Sequence, residues 1–203
     1  AFPENENGVW ESASNFKEYA PYDLASLVAE TVFKADSYKD GSINALEVFV
    51  YKDTVSVLNS RGIDKTEHKY SAMVEAIPTW NTDTESVELY ECYNFTEFDA
   101  DVLTAEIDGK MREVRDRMVA KKPENKLSCR IVLNASELRH LFGEIASNLS
   151  FGSVYNHVSA FSKGDAIQKS PMGDKMTVTM KGRMAGSVSS RAFDVSGVTT
   201  TDA

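Results

Sequence analysis

Near the N-terminus, apolar residues recur at the spacing of a helix. After Pro21, apolar or small residues recur at intervals of three and four, at Leu24, Leu27, Val28, Thr31, Val32 and Ala35. This spacing places them on one face of an amphipathic helix. Asp23 favours the positively polarised N-terminal end of a helix, and the polar run 39–41 with its glycine is typical of a helix end. The pattern predicts a helix that begins near residue 21.

The pattern then changes to runs of β-branched and aromatic residues. Four such runs predict strands, at 46–51, 55–58, 68–77 and 87–95. The polar residues 52–54 between the first two runs predict the tight turn of a hairpin. The first hundred residues therefore predict one helix followed by an antiparallel meander.

Two further helices are predicted in the second half. Between residues 99 and 120 one narrow arc carries Leu103, Ile107, Met111, Val114 and Met118. Asn134 followed three residues later by Glu137 resembles a capping box and predicts a helix at 135–149. Its apolar stripe, predicted to be buried, consists of Leu138, Leu141, Phe142, Ile145 and Leu149.

Taken together, the elements predict an α+β fold with antiparallel β-sheets and a few packed helices. Short strands are also expected at 127–133 and at 175–181, where apolar and polar residues alternate. A polar linker follows the long helix at residues 121–125. Residues 1–122 are expected to hold the first helix, the meander and the long helix.

Composition narrows the class of protein. The chain has 203 residues, of which 42% are hydrophobic and 26% charged, and its net charge is −9. These values are typical of a globular protein, and the acidic balance disfavours nucleic acid as a partner. No apolar run approaches the roughly 18 residues of a membrane span, and residues 1–8 lack the pattern of a secretory signal. Two cysteines far apart predict reduced thiols, so we expect a cytoplasmic protein without a membrane partner.

Local motifs for common chemistries are absent from the sequence. The three histidines, at positions 68, 140 and 157, have no metal-ligand spacing, and no serine-hydrolase elbow, P-loop or dinucleotide turn occurs. His140, Glu144 and Asn148 are four residues apart in succession and therefore share one ridge of the third helix. This ridge could hold an ion or position a water molecule, or it could be an ordinary exposed surface.

Several segments, taken in their order along the chain, resemble the TldD/PmbA family. The likeness runs from about residue 20 to the end, and the segments are Asn59-Ser60-Arg61-Gly62-Ile63, Arg130-Ile131-Val132-Leu133 before helix 135–149, Gly152-Ser153-Val154-Tyr155, 159–161, and Phe193-Asp194-Val195-Ser196-Gly197-Val198-Thr199-Thr200. Members of that family are cytosolic metallopeptidases or their partners, associated with peptide maturation and antitoxin degradation, and are also called modulators of DNA gyrase. The resemblance further implies that this chain is the middle section of a larger two-domain protein. Residues 1–122 would then be the rest of the N-terminal part, and residues 123–203 the incomplete start of a β-rich C-terminal domain.

The resemblance has a specific implication for zinc. In the TldD-type member the helix matching residues 138–150 carries an H-E-x-x-x-H motif. In this sequence the two histidine positions fall on Gly143 and Asn148, and only the glutamate is retained, as Glu144. Glycine has no ligand atom, and a neutral amide is a poor substitute for imidazole. The chain is therefore more similar to the PmbA/TldE branch, which implies no metal or cofactor in this chain and zinc in its catalytic partner.

These considerations give the expected site and partners. Glu144 is the candidate catalytic residue, a general base that needs a metal-bound water to deprotonate. Asn148 and Asp194 are candidate substrate-binding residues. The implied partners are a TldD-like zinc-bearing subunit or further copies of this chain, and a peptide substrate that pairs with exposed strand edges. Two alternatives stay open: a stand-alone metal-dependent hydrolase whose ligands, such as His140, Glu144 and His157, assemble only in the fold, and a non-catalytic interaction scaffold.

Overall fold

The structure, a computed structural model, describes residues 7–168, 170, 172–174 and 177–202, leaving aside the side chain of Ser136. The described residues form two compact units. The first comprises residues 7–121 together with 181–202, and the second is the described part of 122–180. The division near residue 121 lies next to the predicted boundary at 122. Residues 181–202, however, belong to the first unit and not to a domain that continues from residue 123.

The first unit has an α+β fold, as predicted. Its helices are α1 (Pro21–Ala35) and α2 (Ala100–Met118), and a short 3₁₀ helix spans Phe16–Glu18. Among the described residues five strands form one mostly antiparallel sheet, namely β1 (Gly8–Glu11), β2 (Gly41–Leu58), β3 (Asp64–Asn81), β4 (Ser86–Glu88) and β5 (Glu91–Phe95). The long strand β3 is central. β2 pairs with one side of β3, and β1, β5 and β4 follow one another along its other side.

Strand β2 corrects the predicted hairpin. The expected turn at 52–54 does not form, because these residues continue in antiparallel register with β3, from Lys52 opposite Tyr70 to Thr54 opposite His68. The chain reverses at 59–63 instead, where the side-chain oxygen of Asn59 accepts hydrogen bonds from the backbone N–H groups of Arg61 (2.9 Å) and Ile63 (3.2 Å). Residues 51–56 are exposed. The polar side chains at 52–54 therefore contact water on the surface of the strand and do not mark a turn.

The core lies on one face of the sheet. Alternate residues of β3, from Tyr70 to Ala76, are buried there together with side chains of α1 and α2. The helical members are Leu24, Val28 and Val32 of α1 and Leu103, Ile107 and Met111 of α2. These are the stripes that the sequence predicts. Each fully buried aliphatic side chain of this kind contributes about 1.5–3 kcal/mol.

The opposite face of the sheet is covered near the hairpin end. Because side chains alternate along a strand, Lys65, Glu67 and Lys69 point away from the helical layer. Residues of the C-terminal segment 181–202 pack over this end of the strand, and Lys65 and Glu67 are buried beneath them. The C-terminal segment therefore completes the first unit.

The second unit contains α3 (Ala135–Leu149) and α4 (Phe151–Tyr155). The bounds of α3 agree with the prediction, and the side chain of Asn134 caps it by accepting a hydrogen bond from the Glu137 N–H at 2.9 Å. The predicted burial of its stripe is wrong, since no described residue of 122–180 is buried and Leu141 is 55% exposed. Periodicity predicts an amphipathic helix but not what covers it.

Two predicted strands do not occur among the described residues of their segments. Residues 127–133 have no regular secondary structure. In the segment 175–181, residues 175 and 176 lie outside the described residues, and 177–181 form no strand.

Candidate functional site

The ridge predicted on α3 consists of His140, Glu144 and Asn148. His140 and Glu144 are exposed, and Asn148 is half-buried. The side-chain nitrogen of Asn148 donates to the backbone carbonyl of Glu144 at 3.0 Å, and its side-chain oxygen accepts from the N–H of Ala160 at 3.0 Å. The Ser159 hydroxyl donates to the backbone carbonyl of Asn148 at 2.7 Å. Asn148 therefore fastens the loop at 159–160 to the end of the helix.

A metal site is not assembled around this ridge. Gly143 offers no side chain, and the amide of Asn148 is engaged in the two hydrogen bonds just described. Within the described parts of the chain, which include His140, Glu144 and His157, no three histidine, cysteine, aspartate or glutamate side chains are grouped so that they could hold a metal ion. The structure does not bring these three candidate ligands together.

Asp194 organises a tight turn. One carboxylate oxygen accepts hydrogen bonds from the N–H groups of Ser196 (2.8 Å) and Val198 (2.9 Å), and the Asp194 N–H donates to the Val198 carbonyl at 2.9 Å. An aspartate that bonds its own backbone two residues ahead forms an Asx-turn. Asp194 thus has a local structural role, because its carboxylate fixes the turn at 194–198.

The turn at 194–198 lies against the end of the β2–β3 hairpin. Gly197 has a φ of +79°, and a Cβ atom built on it would lie 2.8 Å from Cγ2 of Ile63. The ring of Phe193 packs edge-on against Trp10, with centroids 5.7 Å apart. Two of the segments that carry the family resemblance, 59–63 and 193–200, are therefore in contact although they are far apart in sequence.

Charged side chains are buried where the C-terminal segment meets the sheet. Lys65 is 1% exposed, donates to the Thr199 hydroxyl at 3.0 Å and lies 5.7 Å from the centre of the Trp10 ring. Glu67 accepts from the Ala192 N–H at 2.9 Å, and Lys69 donates to the Val188 carbonyl at 2.9 Å. Sequence reasoning missed these residues. The available signal was the row of charged residues at alternate positions of a strand.

Strand β2 presents an open edge. It pairs with β3 at residues 41–43 and 46–58, with an irregularity between the two stretches, and no other strand in the described part of the chain pairs with its outer side. Its 18 residues extend over about 60 Å at the usual rise per residue. Proteins commonly shorten or cover such edges, because the free N–H and C=O groups can pair with another extended chain. β2 is long, and no strand among the described residues covers this edge.

These features define the class as an α+β protein with a long hairpin, a docked C-terminal segment and an open sheet edge. No family model matches the sequence, and no curated protein matches it. None of the helices in the described residues is long and apolar enough to cross a membrane.

Proposed function

We propose that the chain is a PmbA/TldE-like, non-zinc subunit of a cytoplasmic metallopeptidase that matures or degrades peptides. The zinc belongs to a TldD-like partner subunit, and this chain receives part of the extended peptide. Glu144 then has no metal-bound water to activate within this chain and no independent catalytic role. Under this proposal, backbone N–H and C=O groups at the edge of the sheet bind the peptide.

The open edge of β2 carries this proposal. A peptide that adds a strand to a sheet forms backbone hydrogen bonds that do not depend on its sequence, and side-chain contacts then select among peptides. Such an edge suits a subunit that handles extended chains. The exposed side chains of Glu47, Lys52 and Asp53 on this strand supply charges of both signs beside the edge.

The docking of the C-terminal segment supports the resemblance on which the partner and the reaction rest. Segments 59–63 and 193–200 carry two of the resembling motifs, and they meet at the contact between Ile63 and Gly197. The other three resembling segments, at 130–133, 152–155 and 159–161, lie in the second unit.

A reconstitution experiment tests the proposed division of roles. The purified chain is mixed with a purified TldD-type subunit that bears H-E-x-x-x-H, and cleavage of an unstructured peptide is followed alongside the zinc content of each protein. We expect cleavage in the mixture only, with zinc in the partner. Cleavage by this chain alone, with stoichiometric zinc, would favour the stand-alone hydrolase. A stable complex without any cleavage would favour the scaffold.

A pair of proline variants tests the role of the edge. Successive N–H groups of an antiparallel strand point alternately to the paired neighbour and to the open side. Of Lys52→Pro and Asp53→Pro, one therefore removes a bond to β3 and lowers the melting temperature. The other removes only an outward N–H, and we expect it to reduce peptide cleavage in the mixture while the melting temperature stays closer to that of the wild type. Unchanged cleavage in both variants would exclude this stretch of β2 as the binding edge.

A further inference from the structure

A cavity of about 310 Å³ lies in the first unit, apart from the β2 edge. It is open to solvent on one side and is lined by the chain around residues 10–13, by β3 and by the C-terminal segment at 183–192. Its volume is at the lower end of the range typical of small-molecule sites. The ring of Trp10 forms part of its apolar wall, and ionisable side chains reach it from several elements.

Two polar groups in this cavity are poorly satisfied. Glu67 is only 8% exposed, and one of its oxygens accepts a single hydrogen bond, from the Ala192 N–H. A buried carboxylate needs donors or a positive charge to offset its lost hydration. The Ser12 hydroxyl oxygen also has no hydrogen-bond partner among the described residues, but it has almost no accessible surface. The carboxylate of Glu67 is therefore the group that can accept hydrogen bonds from a cationic nitrogen in the cavity.

The same cavity carries donors of opposite charge. Lys69 donates one hydrogen bond to the Val188 carbonyl, and Arg183 donates one to the Ala192 carbonyl at 3.3 Å. An ammonium has three N–H donors and a guanidinium five, so both groups keep donors for a ligand. The ionisable residues around the cavity are balanced, with Glu11, Glu67 and Glu97 against Lys69, Arg183 and Arg191. A simple anion or cation would match only half of this set.

We propose that this cavity binds a small zwitterion, an amino acid or dipeptide with free ends. Its ammonium group lies near Glu67, and its carboxylate lies near Lys69 and Arg183. The inference goes beyond the proposed function and does not depend on it, because it uses neither the β2 edge nor a partner subunit.

Calorimetric titration of the whole chain with the dipeptide alanylalanine tests the proposal. We expect saturable binding of one dipeptide per chain. Acetylation of the amino end or amidation of the carboxyl end should each weaken binding by about tenfold or more, because each removes one charged hydrogen-bonding group from a partly enclosed site. No binding of the free dipeptide, or equal binding of the form blocked at both ends, would overturn the proposal.

Variants then locate the site. Glu67→Gln keeps an oxygen that can accept from the Ala192 N–H but removes the charge, and it should weaken dipeptide binding by about tenfold or more. Lys69→Gln removes the positive charge expected near the ligand carboxylate and should also weaken binding, and it still tests the site if Glu67→Gln does not fold, which its melting temperature shows. Glu85→Gln is the matched control in the exposed loop before β4 and should bind like the wild type. Wild-type affinity in both Glu67→Gln and Lys69→Gln would exclude this cavity.

Discussion

Gly197 and Ile63 touch across the boundary between the C-terminal segment and the hairpin end. A Cβ atom at Gly197 would lie 2.8 Å from Cγ2 and 3.1 Å from Cδ1 of Ile63. The φ of +79° at Gly197 also belongs to the left-handed region, which side chains disfavour. Both the backbone and the neighbour therefore require glycine at this turn.

We predict that Gly197→Ala lowers the free energy of unfolding by about 2–3 kcal/mol, as the sum of a left-handed backbone penalty and an overpacking penalty. Denaturant unfolding measures this loss. Gly62→Ala is the matched control, because Gly62 has a φ of +88° but nothing within 4 Å of its built Cβ. That variant should lose only about 1 kcal/mol, the backbone part alone.

A double-mutant cycle isolates the contact itself. In an Ile63→Ala background the atoms that crowd Gly197 are removed, so Gly197→Ala should cost about 1 kcal/mol less than it does in the wild type. An equal cost in both backgrounds would show that Ile63 does not touch this turn in solution.

Local signals were sufficient to predict α1, α2 and α3, but not the short helix α4. Asp99 accepts hydrogen bonds from the N–H groups of Asp101 (2.9 Å) and Val102 (3.1 Å) at the start of α2. Asn134 caps α3 in the same way. A cap and the stripe that follows it lie within a few residues of one another, so the sequence contains the whole signal.

The strand pairings and the site depend on distant residues, and there sequence reasoning failed. The polar run Lys52, Asp53 and Thr54 predicts a turn, yet these residues pair in antiparallel register with β3. Leu141 reads as buried because it belongs to a stripe, yet 55% of it is exposed. Lys65 was overlooked because only the C-terminal segment, 134 residues further on, buries it and provides its hydroxyl partner.

Asp194 was predicted to bind substrate, and its geometry allows a direct test of that role against a structural one. Asp194→Ala removes both hydrogen bonds to the Ser196 and Val198 N–H groups and should destabilise the chain by about 1–2 kcal/mol. Asp194→Asn keeps an acceptor oxygen and should stay within about 0.5 kcal/mol of the wild type.

The same two variants distinguish the roles in the reconstituted peptidase. If Asp194 only builds the turn, Asp194→Asn cleaves peptide at the wild-type rate. A large loss of cleavage in Asp194→Asn, with its stability retained, would show that the negative charge itself contacts the substrate.

An ion-pair cluster on α2 makes stability depend on pH. Lys110 contacts Glu91 and Glu113 at 2.9 Å each, and Arg117 contacts Glu113 at 3.1 Å. The hydrogen bond that Lys110 donates to Glu113, together with the positive charges of Lys110 and Arg117, lowers the pKa of Glu113 below its ordinary value of 4.5. These effects outweigh the loss of hydration, which acts in the opposite direction. A carboxyl group with a lowered pKa in the folded state stabilises the fold above its unfolded-state pKa. That stability is lost as the pH falls through the folded-state pKa.

We therefore predict that Glu113→Gln is less stable than the wild type by at most about 1 kcal/mol at pH 7, since the pair is partly exposed. The difference should shrink as the pH falls below 4.5 and vanish once the carboxyl group is protonated in both states. Denaturant unfolding between pH 2 and pH 7 measures it, with Glu85→Gln as the control. A difference that stays constant across this range would mean that the charge of Glu113 does not contribute.

Lys65 offers the sharpest test of how the C-terminal segment is held. Its amine is buried, with the Thr199 hydroxyl at 3.0 Å and the face of the Trp10 ring as its neighbours. Methionine has a similar volume and no charge to desolvate, so Lys65→Met should be within about 1 kcal/mol of the wild type or more stable. Lys65→Ala leaves a void in the same place and should lose about 2–4 kcal/mol. If the methionine variant is as unstable as the alanine variant, the packing explanation fails, and the charge and hydrogen bond of the amine hold the segment against the sheet.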